Sequence, residues 1–408
     1  MPPLRSLLIA AGSLFLTASS LRACLWDVDT LQMERKRFPG VNELITGNFV
    51  RHGPDYYQWR IDDRRRRLQD SPGDPALVDD LAVALDKLGR PKEGIALVSD
   101  ILRVHPNRYE TVANLGTLHI HAGDLDQGAR LIAEAIRINP DAHFGRERFQ
   151  RLFVRYLQQS EMVDKGVLSA ETRWQRYQPV GFARFVLELP GIPLDAEARD
   201  RELDAALKGI LGIMHFGNFE SPGVLEALGD LLLRTGEGDS DARLLAGRAY
   251  LKARRGAQRP EAAAFYDQMI GDALSPNADF HGTRREKAQA QLNRALDKDL
   301  AAADQRHQEI VRDEQQWIRE GGDVDRLFAA KYYASLEDTM DAARDSVAAE
   351  RPDERTRSSF YRAGQVRMIA WAAAMFLGLL TLTATLITAS RRRRRRLQAG
   401  GCPRVLSP

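Results

Sequence analysis

PALVDDLAVALDKLGRPKEGIALVSDILRVHPNR, residues 75–108, is followed without a gap by YETVANLGTLHIHAGDLDQGARLIAEAIRINPDA, residues 109–142. At an offset of thirty-four, Val78, Leu81, Ala82, Leu85, Gly94, Val98, Ile101 and Pro106 stand over Val112, Leu115, Gly116, His119, Gly128, Ile132, Ala135 and Pro140. Small residues at 82, 94, 116, 128 and 135 let the two helices of one unit approach, and the larger ones fill the gap to the next unit. Gly89 and Gly123 fall at the turns, where a left-handed backbone after a helix end favours glycine. Pro106 and Pro140 follow the second helices and stop them.

This pattern of small and apolar packing positions closed by a proline resembles the tetratricopeptide repeat, a helix-turn-helix unit of thirty-four residues. The resemblance covers 75–142 and implies an all-α chain built as an α-solenoid of helix hairpins. Two features depart from the family: His119 replaces an aromatic or aliphatic residue, and glycine stands at 94 and 128 where alanine is commoner. Two units cannot bury their apolar faces alone, so flanking helices are expected. Pro72 lies thirty-four residues before Pro106 and makes Asp55–Asp70, apolar at Tyr57, Ile61 and Leu68, the second helix of a degenerate earlier unit. Phe149, Leu152, Phe153, Tyr156 and Leu157 recur at helical spacing and are expected to close the far end. The helical array thus occupies 55–178, after an irregular segment 24–54.

Beyond it the repeat fades while helical spacing persists at Arg199–Met214, Gly223–Arg234, Asp241–Arg255 and Pro260–Ala273. Pro179–Pro193, rich in proline and glycine, reads as an internal boundary. Residues 194–280 read as a second, degenerate repeat-like region, in which Ala246, Gly247, Ala249 and Tyr250 open one more hairpin. Residues 281–350 predict long charged helices, Arg284–Arg319 and Asp323–Ala349, broken by Gly321 and Gly322. Two readings stay open there, a stalk leading to a membrane and a solvated helix packed on the preceding hairpins.

The ends decide the expected location. Residues 1–23 carry Arg5, an uncharged apolar run Ser6–Leu21 and then Arg22-Ala23, the order of a secretory signal peptide. Leu21-Arg22-Ala23-Cys24 also resembles a bacterial lipobox, from which Arg22 departs, so lipidation of Cys24 and ordinary cleavage both stay open. After a juxtamembrane linker, 351–367, Met368–Ser390 holds no charged residue over twenty-three positions. As a helix it would run about 34 Å, enough for a transmembrane segment. Arg391–Arg396 follow within a basic tail, 391–408, and mark the cytoplasmic side. The expectation is a single-pass protein in the bilayer through 368–390, its N-terminal domain extracytoplasmic, on the periplasmic side of the inner membrane if the cell is Gram-negative.

The composition, 44% hydrophobic and 28% charged over 408 residues, fits folded protein. Setting aside nine terminal arginines, seven in the tail plus Arg5 and Arg22, turns the formal net charge of +3 into −6 for residues 24–390. The excess basicity lies at the ends, which argues against a nucleic-acid partner.

No phosphate loop, nucleophile elbow or metal-binding helix motif is legible, so no enzyme activity, cofactor or metal is expected. His119 and His121, two apart on a helix, point about 200° from one another; His119 reads as packed and His121 as exposed. Asp27 and Asp29 share a face if extended and would there seed a metal or acid-base site; the default reading is that both are solvated. His215-Phe216-Gly217-Asn218-Phe219 reads as a packed connection, and Arg64–Arg67 as a solvated charge run. The function expected is a binding scaffold whose concave face, through Asp79, Leu85, Asn114 and His121, holds a protein or peptide. A structural tether, and an enzyme with its site in 24–60 or 180–220, are the alternatives.

Overall fold

A computed structural model describes residue 27 and residues 38–140, 146–160, 167–168, 179–192, 195–233, 240–274 and 283–334. The expected signal peptide 1–23, Cys24, Asp29 and everything from 335 onward, including the span 368–390, lie outside the described residues. All described residues belong to one compact unit. It is all-α, and no strand occurs among the described residues.

Proline at the first helical turn, where its missing N–H costs nothing, starts α2 (Pro54–Asp70), α3 (Pro75–Lys87) and α4 (Pro91–Val104). Before them lies the short α1 (Val41–Thr46). Asp74 caps α3 by accepting from Ala76 N and Leu77 N, and Asp124 caps α6 (Leu125–Ile138) by accepting from Gln127 N. Between them, α5 (Tyr109–His121) completes the second unit.

The two units end their first helices in the same way. Gly89 has φ +75° and donates to Asp86 O at 2.8 Å, while Arg90 N donates to Leu85 O at 2.9 Å. Thirty-four residues on, Gly123 has φ +88° and donates to Ile120 O at 3.1 Å, while Asp124 N donates to His119 O at 2.9 Å. This paired capping turn requires a left-handed residue, which glycine adopts without steric cost.

The helix approach repeats too. A Cβ on Gly94 would sit 3.2 Å from Ala82 O, and one on Gly128 would sit 3.0 Å from Gly116 O. The approach is tighter at Gly128, where the same Cβ would also meet Ile120 Cγ1 at 2.4 Å. Each helix from α2 to α6 packs on its successor, and α3 also packs on α5. Small apolar clusters fill the gaps, Ile61 with Leu81, Ala84 and Leu85, then Ala82, Val83 and Val98 with Leu115 and Leu118, then Ile120 and Ile132 with Val154.

Helix α7 (Arg146–Gln159) buries Phe149, Leu152, Phe153, Tyr156 and Leu157. It does not close the end of the molecule. Its apolar stripe continues into the largest core, because α9 (Ala196–Ile213) packs on it, and Gly209 lies where a Cβ would be 2.4 Å from Phe149 Cβ. The expected boundary at Pro179–Pro193 is likewise corrected over its described part. It contains α8 (Gly181–Leu187), whose Phe182, Ala183 and Val186 are fully buried in a core that runs from Leu44 to Leu296. Proline and glycine there mark the ends of a short core helix.

A π-helical turn, Met214–Asn218, leads on to α10 (Pro222–Leu233), α11 (Ser240–Gly256) and α12 (Pro260–Leu274), each packed on the next. α13 (Thr283–Arg319) is one helix of 37 residues, about 55 Å long at 1.5 Å per residue. It packs on α12, α11, α1 and α2 and buries Leu292, Leu296, Ala303 and Ile310. Of the two readings left open, the packed helix describes 283–319. At Gly321, φ +71°, the chain turns into α14 (Val324–Phe328) and a π turn, Ala329–Tyr333. Phe328 and Tyr333 join Val50 and Ile310 in a small core there.

Candidate functional site

Two clefts flank α2, and one buried ionic cluster supports both. Arg60 and Arg64 lie one turn apart on α2 and are almost fully buried. Arg60 Nη1 donates to Asp27 Oδ2 at 2.9 Å and Nη2 to Asp325 Oδ1 at 3.0 Å. Arg60 also donates to the Tyr56 hydroxyl, which itself donates to Asp325 Oδ1 at 2.7 Å. Arg64 Nε donates to Asp80 Oδ2 at 3.0 Å and Nη1 to Asp63 Oδ2 at 2.7 Å, and Nη2 pairs with Asp325. Burial works against the charge on Arg64, but Asp325 and Asp80 outweigh it and hold its pKa above the ordinary arginine value. The expectation that Arg64–Arg67 is a solvated run therefore holds for Arg65, Arg66 and Arg67 and fails for Arg64. Asp27, read as solvated or a metal seed, is instead a partner of Arg60.

The first cleft, about 380 Å³, opens where α3 and α5 begin. Asp27, Asp74, Asp79, Asp80, Glu110 and Asp325 line it with three arginines, Arg64, Arg67 and Arg108, so carboxylates outnumber guanidinium groups two to one. Asp79 forms its inner wall. Its Oδ2 accepts from Arg108 Nη2 at 3.1 Å and from Thr111 Oγ1 at 3.0 Å, and its Oδ1 accepts from Asn114 Nδ2 at 3.2 Å. Burial raises its pKa to about 6, against the pull of Arg108 and the bonds from Asn114 and Thr111.

The four residues expected on an open partner-binding face are packed between helices. Asp79 and Asn114 bond to each other, Leu85 is wholly buried, and His121 Nδ1 lies 2.8 Å from Asp86 Oδ1 with both side chains nearly covered. The histidine pair is reversed from expectation, since His119 is the more open and pairs with Asp124 at 3.3 Å. These contacts form a polar ladder joining successive first helices: Asp79 to Asn114 and Asp86 to His121, each thirty-five residues apart, then Thr117 to Gln150 Nε2 at 3.0 Å. Helical phase alone placed these residues on one face. It could not distinguish a face turned to solvent from one turned to the next first helix. The pairing of complementary polar residues at a separation of thirty-five is the signal that would have found it.

The second cleft, about 1030 Å³, runs between α2 and the end of α13. Asp55, Gln58, Trp59, Asp62, Asp63, Arg66 and Arg67 form one wall, and Gln315, Ile318, Arg319 and Asp323 the other.

The 214–219 turn is filled. The His215 ring lies 5.2 Å from both Phe38 and Phe49, and burial, then Arg146 and Lys87, lowers its pKa to about 3, so it is neutral. Lys87 donates to Phe216 O at 3.0 Å and Lys252 to Ile45 O at 2.7 Å. The turn is a packed connection between α9 and α10.

Among the described residues no group of three or more histidine, cysteine, aspartate or glutamate side chains is arranged to hold a metal ion. Among them, too, no helix is long and apolar enough to cross a membrane. No protein-family model matches the chain, and no curated protein matches it.

Proposed function

We propose that the chain is a membrane-anchored scaffold of tetratricopeptide type that holds a protein or peptide partner on the extracytoplasmic side of a bilayer. The observation that carries this reading is the recurrence, at thirty-four residues, of the same capping bonds and the same glycine-to-carbonyl approach in α3–α4 and α5–α6. Units so matched stack in a fixed rotation and generate an extended surface suited to a partner chain. The cleft at the starts of α3 and α5 replaces the four buried residues as the recognition surface. Asp74 and Glu110 are half-buried at its rim beside the exposed Arg67 and Ala76, and its excess of carboxylates favours a basic partner. The charge-free run 368–390 and the arginines after it supply the anchor and its orientation.

Photo-crosslinking residues introduced into the full chain in its native membrane test this reading. Adducts of one discrete mass are expected from positions 74 and 110 and none from the exposed second-helix positions 100 and 137. A tether is the second reading, favoured by the 37-residue α13, which packs on elements from both halves of the chain. It predicts no partner adduct from the cleft. Protease added to cells stripped of any outer membrane checks the topology, with 24–367 digested and the arginine tail protected.

A further inference from the structure

The wall of the second cleft carries an ordered stripe on α2. Asp55, Trp59 and Asp62 follow at i, i+4 and i+7 and so lie on one helix face, a carboxylate on either side of an indole. Among the described residues Asp55 Oδ2 accepts only from Gln315 Nε2, at 2.7 Å, and Asp62 only from Gln58 Nε2, at 3.3 Å. Opposite, Asp323 caps α14 through Arg326 N at 3.2 Å. Among the described residues none of these three carboxylates has a cationic partner. Asp63, the fourth acid of the cleft, is already met by Arg64, Arg66 and Arg67. Arg319 makes no ion pair among the described residues. Arg66 and Arg67 share the one carboxylate of Asp63, so the lining, four carboxylates against Arg66, Arg67 and Arg319, carries a formal net charge of −1. Trp59 is half-buried against Tyr56 at 5.8 Å, and it forms no hydrogen bond through its indole N–H among the described residues.

We infer that this cleft binds an extended peptide segment carrying a lysine or arginine, whose cation rests on the Trp59 ring between Asp55 and Asp62. An indole attracts a cation through its electron-rich face, and flanking carboxylates add charge complementarity at hydrogen-bond range. The second cation of such a segment meets Asp323 across the cleft, and Arg319 takes a carboxylate or carbonyl of the same strand. From Asp55 to Arg67 the α2 wall runs about 18 Å. That length accommodates five or six extended residues at about 3.3 Å each, which suits a peptide and exceeds a single headgroup or a small organic cation. The inference stands on α2, α13 and α14 and does not require the repeat reading of 75–142.

The test uses the full chain in detergent and a fluorescein-labelled Gly-Lys-Ala-Arg-Ala-Gly hexapeptide, read by fluorescence anisotropy at low salt. Saturable binding is expected, absent when glutamate replaces both basic residues of the probe. The double variant Asp55→Asn, Asp62→Asn weakens it about tenfold, and Trp59→Leu about fivefold. Trp59→Phe retains part of the affinity, and circular dichroism of each variant checks that the fold is kept. The inference is overturned if the basic probe does not saturate by about 1 mM, or if well-folded variants bind it as wild type does. Displacement of the probe by equimolar tetramethylammonium, or by zwitterionic vesicles at matched headgroup concentration, would overturn it in favour of a small cation or a lipid.

Discussion

Asp325 Oδ1 lies 3.0 Å from Arg60 Nη2 although 265 residues separate them, and this carboxylate also takes Arg64 and the Tyr56 hydroxyl. It fastens the last described helix to α2, and Arg64 passes the connection on to Asp80 of α3. Removing Asp325 leaves two buried guanidinium groups short of a partner, the costly way to break a buried pair. Asp325→Ala is expected to lower unfolding stability by about 3 kcal/mol, measured by urea denaturation. Amide exchange should quicken over 324–333 more than over α5 and α6; uniform quickening would show that Asp325 holds no local contact.

Asp79 gives the fold a pH signature of known sign. Its pKa is raised from 3.8 to about 6 by burial, so between those values the folded state binds the proton that the unfolded state has released. Stability from this group therefore falls as pH rises through that window, and at neutral pH the buried charge is a net cost. Asp79→Asn keeps an acceptor for Asn114 and Thr111 without the charge. Relative to wild type, the variant should gain on the order of 2–3 kcal/mol between pH 4 and pH 8. Denaturation curves at both values check this, and a wild-type-minus-variant difference that does not change with pH would show that Arg108 fully offsets burial.

How much of this was legible in the sequence follows from what each feature depends on. Gly89, Gly123, Gly94 and Gly128 report local backbone demands, a left-handed turn and a close helix approach, and those recur at a fixed spacing that one chain can display. The Asp325–Arg60 contact depends on a 37-residue helix carrying the chain back across α11 and α1 to α2. No local pattern encodes that path. Arg64 shows the same limit in miniature, for within four consecutive arginines the helix turns one inward and leaves three in water. Polarity predicted exposure for all four, and long-range ion pairing overrode it at one. The i, i+4, i+7 spacing of Asp55, Trp59 and Asp62 stands in the sequence but carried no expectation of a site, because only α13 lying alongside makes a cleft of it.

The two equivalent glycines should not tolerate alanine equally. Alanine is the better helix former by about 1 kcal/mol, so a pure propensity effect would favour both substitutions. At Gly94 the new methyl meets Ala82 O at 3.2 Å and the ends of Leu118 at 3.2 and 3.3 Å, side-chain atoms that can give by a few tenths of an ångström. At Gly128 it meets Ile120 Cγ1 at 2.4 Å with backbone behind it, Gly116 O at 3.0 Å and Ile120 N at 3.1 Å. There the helices must separate, a strain that typically costs about 1–3 kcal/mol and exceeds the propensity gain. Gly94→Ala is therefore expected to be near neutral and Gly128→Ala destabilising by about 1–2 kcal/mol net, compared by thermal unfolding of the two variants side by side. Equal effects at both positions would mean that the second hairpin packs no more tightly at its glycine than the first.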